Sequence, residues 1–528
     1  MVLAIPPNHR PPPHRHRHLP VTFNTSNGDS LSPRHHSRLL HLLNECTSMS
    51  QLKQIHAHTL RTTSTTNPHT LFLHSRILHF SSLTDIRYAF RVFTQIENPN
   101  SFTWNTLIRG CARSFELENQ AILVYCQMLS QGVAIPDEYT FPFVLRACAF
   151  LFALSEGKQA HAHVVKLGFG SDVYIGNSLI HLYASCGCLD YAQKVFEKMR
   201  ERSLVSWNVM IDSLVGAGEF ESSVKVFGQM QRLFEPDGYT MQSVINACAG
   251  LGALDLGMWA HAYVLRKCGN PVASNVLVNS SLVDMYCKCG SLDMALQVFE
   301  GMPKRDVITW NYMILGFAMH GKAEAALKWF DRMVNMESCK PNSITFVGVL
   351  SACNHRGMVS EGRKFFDMMV KEYEIEPRLE HYGCLVDLLA RAGFIDEALN
   401  LVTTMPVKPD AVIWRSLLDA CSRQQHASIE LSEEVARQIL ESGGDDVSSG
   451  VYVLLSRVYA SASRWNDVGS IRRLMTEEGL GCDEGKTQIG YSPEYSQAPM
   501  VDQKSDGKQR DTRHCLCAPH VLSRILMQ

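Results

Sequence analysis

"SFTWNTLIRG" fills Ser101–Gly110, and the same phrase returns as "LVSWNVMID" at Leu204–Asp212 and as "VITWNYMIL" at Val307–Leu315. The pairs they carry, Trp104-Asn105, Trp207-Asn208 and Trp310-Asn311, stand at a constant interval of 103 residues. A chain with 7 Trp in 528 residues places three of them on one ruler when a structural unit repeats at that interval. Two further phrases fall between the marks. One series is "YTFPFVLRACA" (139–149), "YTMQSVINACA" (239–249) and "ITFVGVLSACN" (344–354); the other is "VYIGNSLIHLYASCGCLDYA" (173–192) and "VLVNSSLVDMYCKCGSLDMA" (276–295). Each interval therefore holds three units of about 31–38 residues, the period of a stacked array.

One unit, 276–306, shows what is stacked. Leu282, Val283, Tyr286 and Cys287 recur at helical spacing, Gly290 breaks the run, and Leu292, Ala295, Leu296, Val298 and Phe299 resume it. The pattern predicts a pair of helices joined by a turn. Such a hairpin cannot bury its apolar faces alone, so neighbours must stack. The expected fold is all-α, a right-handed superhelical solenoid of helix-turn-helix repeats with the repeated Trp in its core. The Asn beside it has two readings: a capping or inter-repeat hydrogen bond, or a contact to a ligand.

Composition narrows the function. Lys and Arg number 50 against 52 Asp and Glu, so a nucleic-acid partner must be held by a local groove and not by a global cationic field. The 17 Cys lack regular pairing and read as reduced thiols. No stretch reaches the apolar length of a membrane span. Residues 1–38 hold five Arg and the single acid Asp29 among many His, Pro and Ser, a composition that suits an organelle transit peptide or a disordered leader.

The Trp-Asn openings and the alternation of three unit types resemble the plant pentatricopeptide repeat family of the PLS subtype. The likeness covers roughly 39–485. After an opening unit around "QLKQIHAH" (51–58), an S unit falls at 71–100 and P, L and S units at 101–137, 138–172 and 173–203. A second round occupies 204–237, 238–275 and 276–306; a P unit at 307–342 and terminal L and S units at 343–378 and 379–410 follow. In that family the fifth residue of a unit contacts one RNA base and the last residue tunes the contact. An Asn amide, with both donor and acceptor, can read a base edge.

Carried onto this chain, the resemblance implies a string of base-reading pairs. Ser75/Asn100 matches adenine, Asn105/Asp137 uracil, Asn177/Ser203 cytosine and Asn208/Asp237 uracil. Ser280/Asp306 matches guanine and Asn311/Asn342 a pyrimidine. The L units depart from the pattern with Pro142, Gln242 and Val347, so their bases stay open. The implied site is A-U-N-C-U-N-G-Y. The second residue of each unit would sandwich the base: Phe72, Phe102, Tyr139, Tyr174, Val205, Tyr239, Leu277, Ile308 and Ile344 are all apolar or aromatic, although core packing would also account for them.

Beyond the array, "AVIWRSLLDACSRQQHASIELSEEVARQIL" (411–440) and "GVYVLLSRVYASASRWNDVGSIRRLMTEEGL" (450–480) resemble the E1 and E2 extensions of organellar RNA-editing factors. With "SQAPMVD" they are similar to the chlororespiratory-reduction editing factors of the DYW subclass, whose further domain is a zinc cytidine deaminase. That chemistry takes an H-x-E and a C-x-x-C, and neither pattern occurs in this sequence. The closing stretch "KQRDTRHCLCAPHVLSRILMQ" (508–528) matches nothing in the family. The His514, Cys515 and Cys517 group lacks a fourth ligand and is weak as a metal site. The pairs Cys186/Cys188, Cys287/Cys289, His56/His58 and His161/His163 read as packing positions and not as metal ligands.

The organisation expected is thus a leader at 1–38, a repeat array at 39–410, an E1/E2 extension at 411–485 and a divergent tail at 486–528. The expected function is sequence-specific binding of single-stranded organellar RNA for C-to-U editing. A deaminase or other editing protein would be recruited in trans through 411–480, with no catalytic residue, metal or cofactor in this chain. The chloroplast is the expected compartment and the mitochondrion its alternative. Splicing, RNA stabilisation or a protein-binding scaffold are the other readings.

Overall fold

The computed structural model describes residues 33–62, 68–114, 116–267, 275–335, 339–423, 429–441 and 448–477. The described residues form 26 helices and no strand. Residues 1–32 of the expected leader and the whole tail, with His514, Cys515 and Cys517, lie outside them. The chain divides into two compact units, one ending at Leu251 and one running from Gly252.

Each unit is a stack of helical hairpins. In the first, the helices Pro68–Thr84, Ser101–Arg113, Phe141–Phe150, Val173–Ser185, Leu204–Gly216 and Gly238–Leu251 pack each against the next. The helices between them pack on their own partner and on the first helix of the following hairpin. The second unit repeats the scheme through Val276–Lys288, Val307–Met319, Ser343–Arg356, Leu379–Arg391, Ala411–Arg423 and Ser448–Ser461. The all-helical repeat fold follows as the periodicity predicts. None of the helices among the described residues is long and apolar enough to cross a membrane.

The repeated Trp anchors each stack. Trp104, Trp207 and Trp310 are buried, and each meets a Phe of the preceding hairpin edge to face: Phe93 at 4.6 Å, Phe196 at 4.9 Å and Phe299 at 4.8 Å between centroids. Their indole N–H groups find no acceptor, so shape and dispersion hold these rings. Gly290 turns the chain between two helices at φ 79°, a left-handed conformation that side chains other than Gly pay strain to enter. At the foot of two hairpins an Arg closes the second helix. Arg202 donates to the carbonyls of Phe196 and Glu197, and Arg305 does the same to Phe299 and Glu300.

Unit-final residues share one job beyond the base-tuning role that the resemblance implies. Asn100, Asp172, Ser203, Asn275, Asp306 and Asn342 each accept a backbone N–H of the next first helix and cap it. The signal was present in the text as a short polar residue directly before an apolar run.

Four His side chains are hydrogen-bonded to neighbouring tyrosines. His56 Nδ1 lies 2.8 Å from the Tyr88 hydroxyl, His161 Nδ1 2.8 Å from Tyr183 and His261 Nδ1 2.9 Å from Tyr286. His163 makes the same bond to Tyr125 at 2.8 Å. Among the described residues no group of three His, Cys, Asp or Glu is placed to hold a metal. Burial lowers the pKa of His56, His161 and His261, and burial together with the neighbouring His56 brings His74 from 6.5 to about 4. A depressed folded-state pKa favours the neutral ring. This contribution to stability is complete above pH 6.5 and is lost as pH falls through the folded values, to about 4 for His74. The urea midpoint of the full chain is therefore expected to fall over that window. A midpoint that holds steady there would contradict the burial of these rings as neutral groups.

Candidate nucleic-acid interface

Three of the six candidate pairs are joined directly. Asn105 Nδ2 donates to Asp137 Oδ1 at 2.7 Å, Asn208 Nδ2 to Asp237 Oδ1 at 3.1 Å and Asn311 Nδ2 to Asn342 Oδ1 at 3.1 Å. In each case the fifth residue of one unit reaches the last residue of that unit, at the entry to the next. A third group completes the cluster, the hydroxyl at the third position of the following unit. Thr140 donates to Asn105 Oδ1 at 2.6 Å, Thr240 to Asn208 Oδ1 at 2.6 Å and Thr345 to Asn311 Oδ1 at 2.7 Å.

The remaining pairs are built differently. Ser280 meets Thr309 Oγ1 at 2.6 Å, and Thr309 donates to Asp306 Oδ1 at 2.6 Å, so the pair is linked through the third-position hydroxyl. Ser75 turns its hydroxyl onto the Leu71 carbonyl of its own helix, while Asn100 caps Thr103. Ser203 is engaged with Ser206, and the amide oxygen of Asn177 is buried with no hydrogen-bond partner. Side-chain length explains the split: an Asn facing an Asp or another Asn spans the gap between hairpins, whereas a Ser on either side is too short to close it.

Two of the three amides are enclosed and do not line an open groove. Asn105 and Asn311 are 9% and 2% exposed, and Ser75 and Ser280 are also buried. The inter-repeat hydrogen bond, the alternative left open for the Asn, is therefore present. It does not exhaust the amide. An Asn offers two N–H donors and two acceptor lone pairs, and the clamp takes one of each.

The second-position residues are found on the surface. Phe102, Tyr139, Tyr174 and Val205 are 52%, 65%, 75% and 57% exposed, and Phe72, Tyr239, Leu277 and Ile308 are exposed as well. Only Ile344 is half-buried. The core-packing alternative therefore fails for eight of nine positions, since these rings and aliphatic chains bury too little to account for the pattern. In sequence, Phe102 and Tyr139 flank the Asn105–Asp137 pair, and Val205 and Tyr239 flank Asn208–Asp237. Of the L-unit fifth residues, Val347 is buried in the core, and Pro142 and Gln242 are half-buried.

Sequence comparison gives these clusters their context. The "PPR repeat" model matches residues 102–133, 177–204, 280–307, 344–373 and 380–408, and the "PPR repeat family" model matches 202–250 and 305–355. A pentatricopeptide repeat-containing protein of Arabidopsis thaliana, designated chloroplastic/mitochondrial, is 56% identical over 93% of this chain and 83% of its own length. The chain belongs to the pentatricopeptide repeat family. A second Arabidopsis thaliana member is 38% identical over 84% of this chain and 72% of its own. The "E motif" model matches residues 426–489. Among solved structures, the pentatricopeptide repeat protein PPR10 in complex with an 18-nt psaJ RNA element superposes with a TM-score of 0.60 at 16% identity. The match covers 81% of this chain and 64% of that one, so the chain spans a little under two thirds of that structure's length.

Proposed function

We propose that this pentatricopeptide repeat protein is a sequence-specific single-stranded RNA-binding factor of a plant organelle. Its role is to mark a site for C-to-U editing, with a deaminase or other editing protein recruited in trans through 411–480. The observation that carries the reading is the recurrence of one arrangement. A polar pair with an unspent donor and acceptor accompanies exposed apolar second-position side chains, and this recurs in every third repeat. Stacking on such side chains contributes about 1–3 kcal/mol per base and needs no net positive charge, which fits a chain of balanced charge. The E motif at 426–489 favours editing over splicing or stabilisation, and the name of the 56% identical relative supports an organellar address.

On this reading the pairs Ser75/Asn100, Asn105/Asp137, Asn177/Ser203, Asn208/Asp237, Ser280/Asp306 and Asn311/Asn342 select A-U-N-C-U-N-G-Y. Ser280→Asn tests the assignment because Asp306 stays in place and the pair becomes the uracil type. In gel shifts at fixed salt, preference at that base is expected to move from guanine toward uracil, with a penalty of about 1–3 kcal/mol on the original base. If the variant weakens all RNAs alike, Ser280 is structural and the assignment fails. For editing, plants lacking the chain should lose conversion at a cytidine adjoining the bound element; unchanged conversion there would contradict the editing role.

A further inference from the structure

The third-position hydroxyls that complete these clusters are among the most enclosed polar groups of the described residues. Thr140, Thr240, Thr309 and Thr345 have no exposed surface. Each carries a single proton, and the distances show where it goes in the three Asn clusters. Thr140 Oγ1 is 2.6 Å from Asn105 Oδ1 but 3.0 Å from Asp137 Oδ1. Thr240 is 2.6 Å from Asn208 Oδ1 and 2.9 Å from Asp237, and Thr345 is 2.7 Å from Asn311 Oδ1 and 3.1 Å from Asn342. The same oxygens accept the backbone N–H of Asp137, Asp237 and Asn342 at 3.0, 3.2 and 3.0 Å. Each hydroxyl thus receives from the cap and gives to the amide oxygen of the preceding repeat.

Asn177 supplies the contrast. The residue at the third position of the following unit is Ser206, and its hydroxyl is spent on Ser203: it accepts the Ser203 N–H at 3.1 Å and meets the Ser203 hydroxyl at 3.2 Å. Nothing reaches Asn177 Oδ1, which is left buried without a donor. The chain therefore holds Asn side chains in two states. In Asn105, Asn208 and Asn311 one acceptor lone pair is occupied by a threonine; in Asn177 both are free.

Pyrimidines differ on the edge such an amide meets. Uracil presents the O4 acceptor where cytosine presents the N4 amino donor. An amide whose oxygen already receives a hydroxyl has its acceptor capacity reduced, and its remaining N–H suits uracil. A bare amide oxygen in a closed site is costly until a donor arrives, and the cytosine amino group is such a donor.

We propose that the third-position hydroxyl of the following repeat is a specificity-positioning group. By occupying or leaving free the Asn oxygen, it sets uracil against cytosine. The proposal rests on the reading that these Asn meet RNA bases, and it extends that reading by resolving the pyrimidine opposite Asn311 as uracil, because Thr345 occupies its oxygen.

The test is Thr140→Val in the full chain, which removes the hydroxyl at nearly constant volume and leaves Asn105 and Asp137 unchanged. The probes are synthetic single-stranded RNAs carrying AUACUAGU, with the second base U or C and, separately, the last base U or C. The wild-type chain should prefer U at both places. In Thr140→Val the U-over-C ratio at the second base should fall about tenfold, the worth of one buried hydrogen bond. The ratio at the last base should hold, and Thr140→Ser should restore the second. A melting temperature taken alongside separates loss of the cap from loss of preference, since a merely structural threonine lowers both affinities together and leaves the ratio intact. An unchanged ratio with binding retained overturns the proposal and spares the RNA reading. A wild-type chain indifferent to base identity at both places overturns both.

Discussion

Replacing Phe102 and Tyr139 together by Ala is expected to weaken binding of the AUACUAGU RNA by about 10–100-fold while leaving the melting temperature nearly unchanged. The two effects separate because of where the rings sit. At 52% and 65% exposed they bury little apolar surface in the folded chain, so their removal costs little stability. On the proposed reading their value lies in the apolar surface they offer to a stacked base. Fluorescence anisotropy for affinity and circular dichroism for melting, on the same preparations, check both halves. A large drop in melting temperature would return these rings to the core, and unchanged affinity would remove them from the interface.

Trp310→Ala is expected to do the reverse and destabilise the second unit by about 3–5 kcal/mol, the cost of emptying an aromatic from a packed core. Trp310 has no exposed surface and lies edge to face with Phe299, with Trp329 5.5 Å away between centroids. Arg332 also stands over both Trp rings, at 5.7 and 4.9 Å. Since a repeat array is stabilised largely through nearest-neighbour contacts, the loss should appear as an early urea transition. A loss smaller than about 1 kcal/mol would mean that the hairpins do not depend on the Trp wedge.

The fold was legible because its determinants are local and recur. Trp104, Trp207 and Trp310 announced the period, Gly290 the turn, and the alternation of apolar residues the two helices of a hairpin. The exposed second-position residues were legible as a column in the repeats, but their exposure was not. Tyr174 and Trp104 are both aromatic residues at the start of a helix, and only three-dimensional packing shows that one faces outward and the other inward. The clamp was hidden for a different reason. Asn105 lies about one unit from Asp137 and Thr140 in sequence, and nothing in the residue order says that an amide, an acid and a hydroxyl will converge. The identity of the capping residues was readable from the short polar side chain before each first helix. Its coupling to the fifth residue needed the stack.

Two consequences follow for how the pairs act. Asp137 accepts from Tyr139 N, Thr140 N and Asn105 Nδ2 through one oxygen, so the residue that holds the amide also fixes the turn leading into the next helix. A substitution there is expected to change stability by about 1 kcal/mol through the lost turn hydrogen bonds, beside any effect on the proposed recognition. Ser280 is not itself a capping residue, whereas Thr140 bonds both the backbone and the carboxylate of Asp137, so its variant needs the melting temperature beside the affinity.

The central claim is that successive repeats of this chain read successive RNA bases through these pairs. Enrichment from a randomised single-stranded RNA pool by the full chain at fixed salt, followed by sequencing, addresses it most directly. The account predicts an enriched element with A, U, C, U and G in the register A-U-N-C-U-N-G-Y, U at its final position, and weak preference at the two L-unit positions. Enrichment of no common element, or of one unrelated to that register, would contradict it.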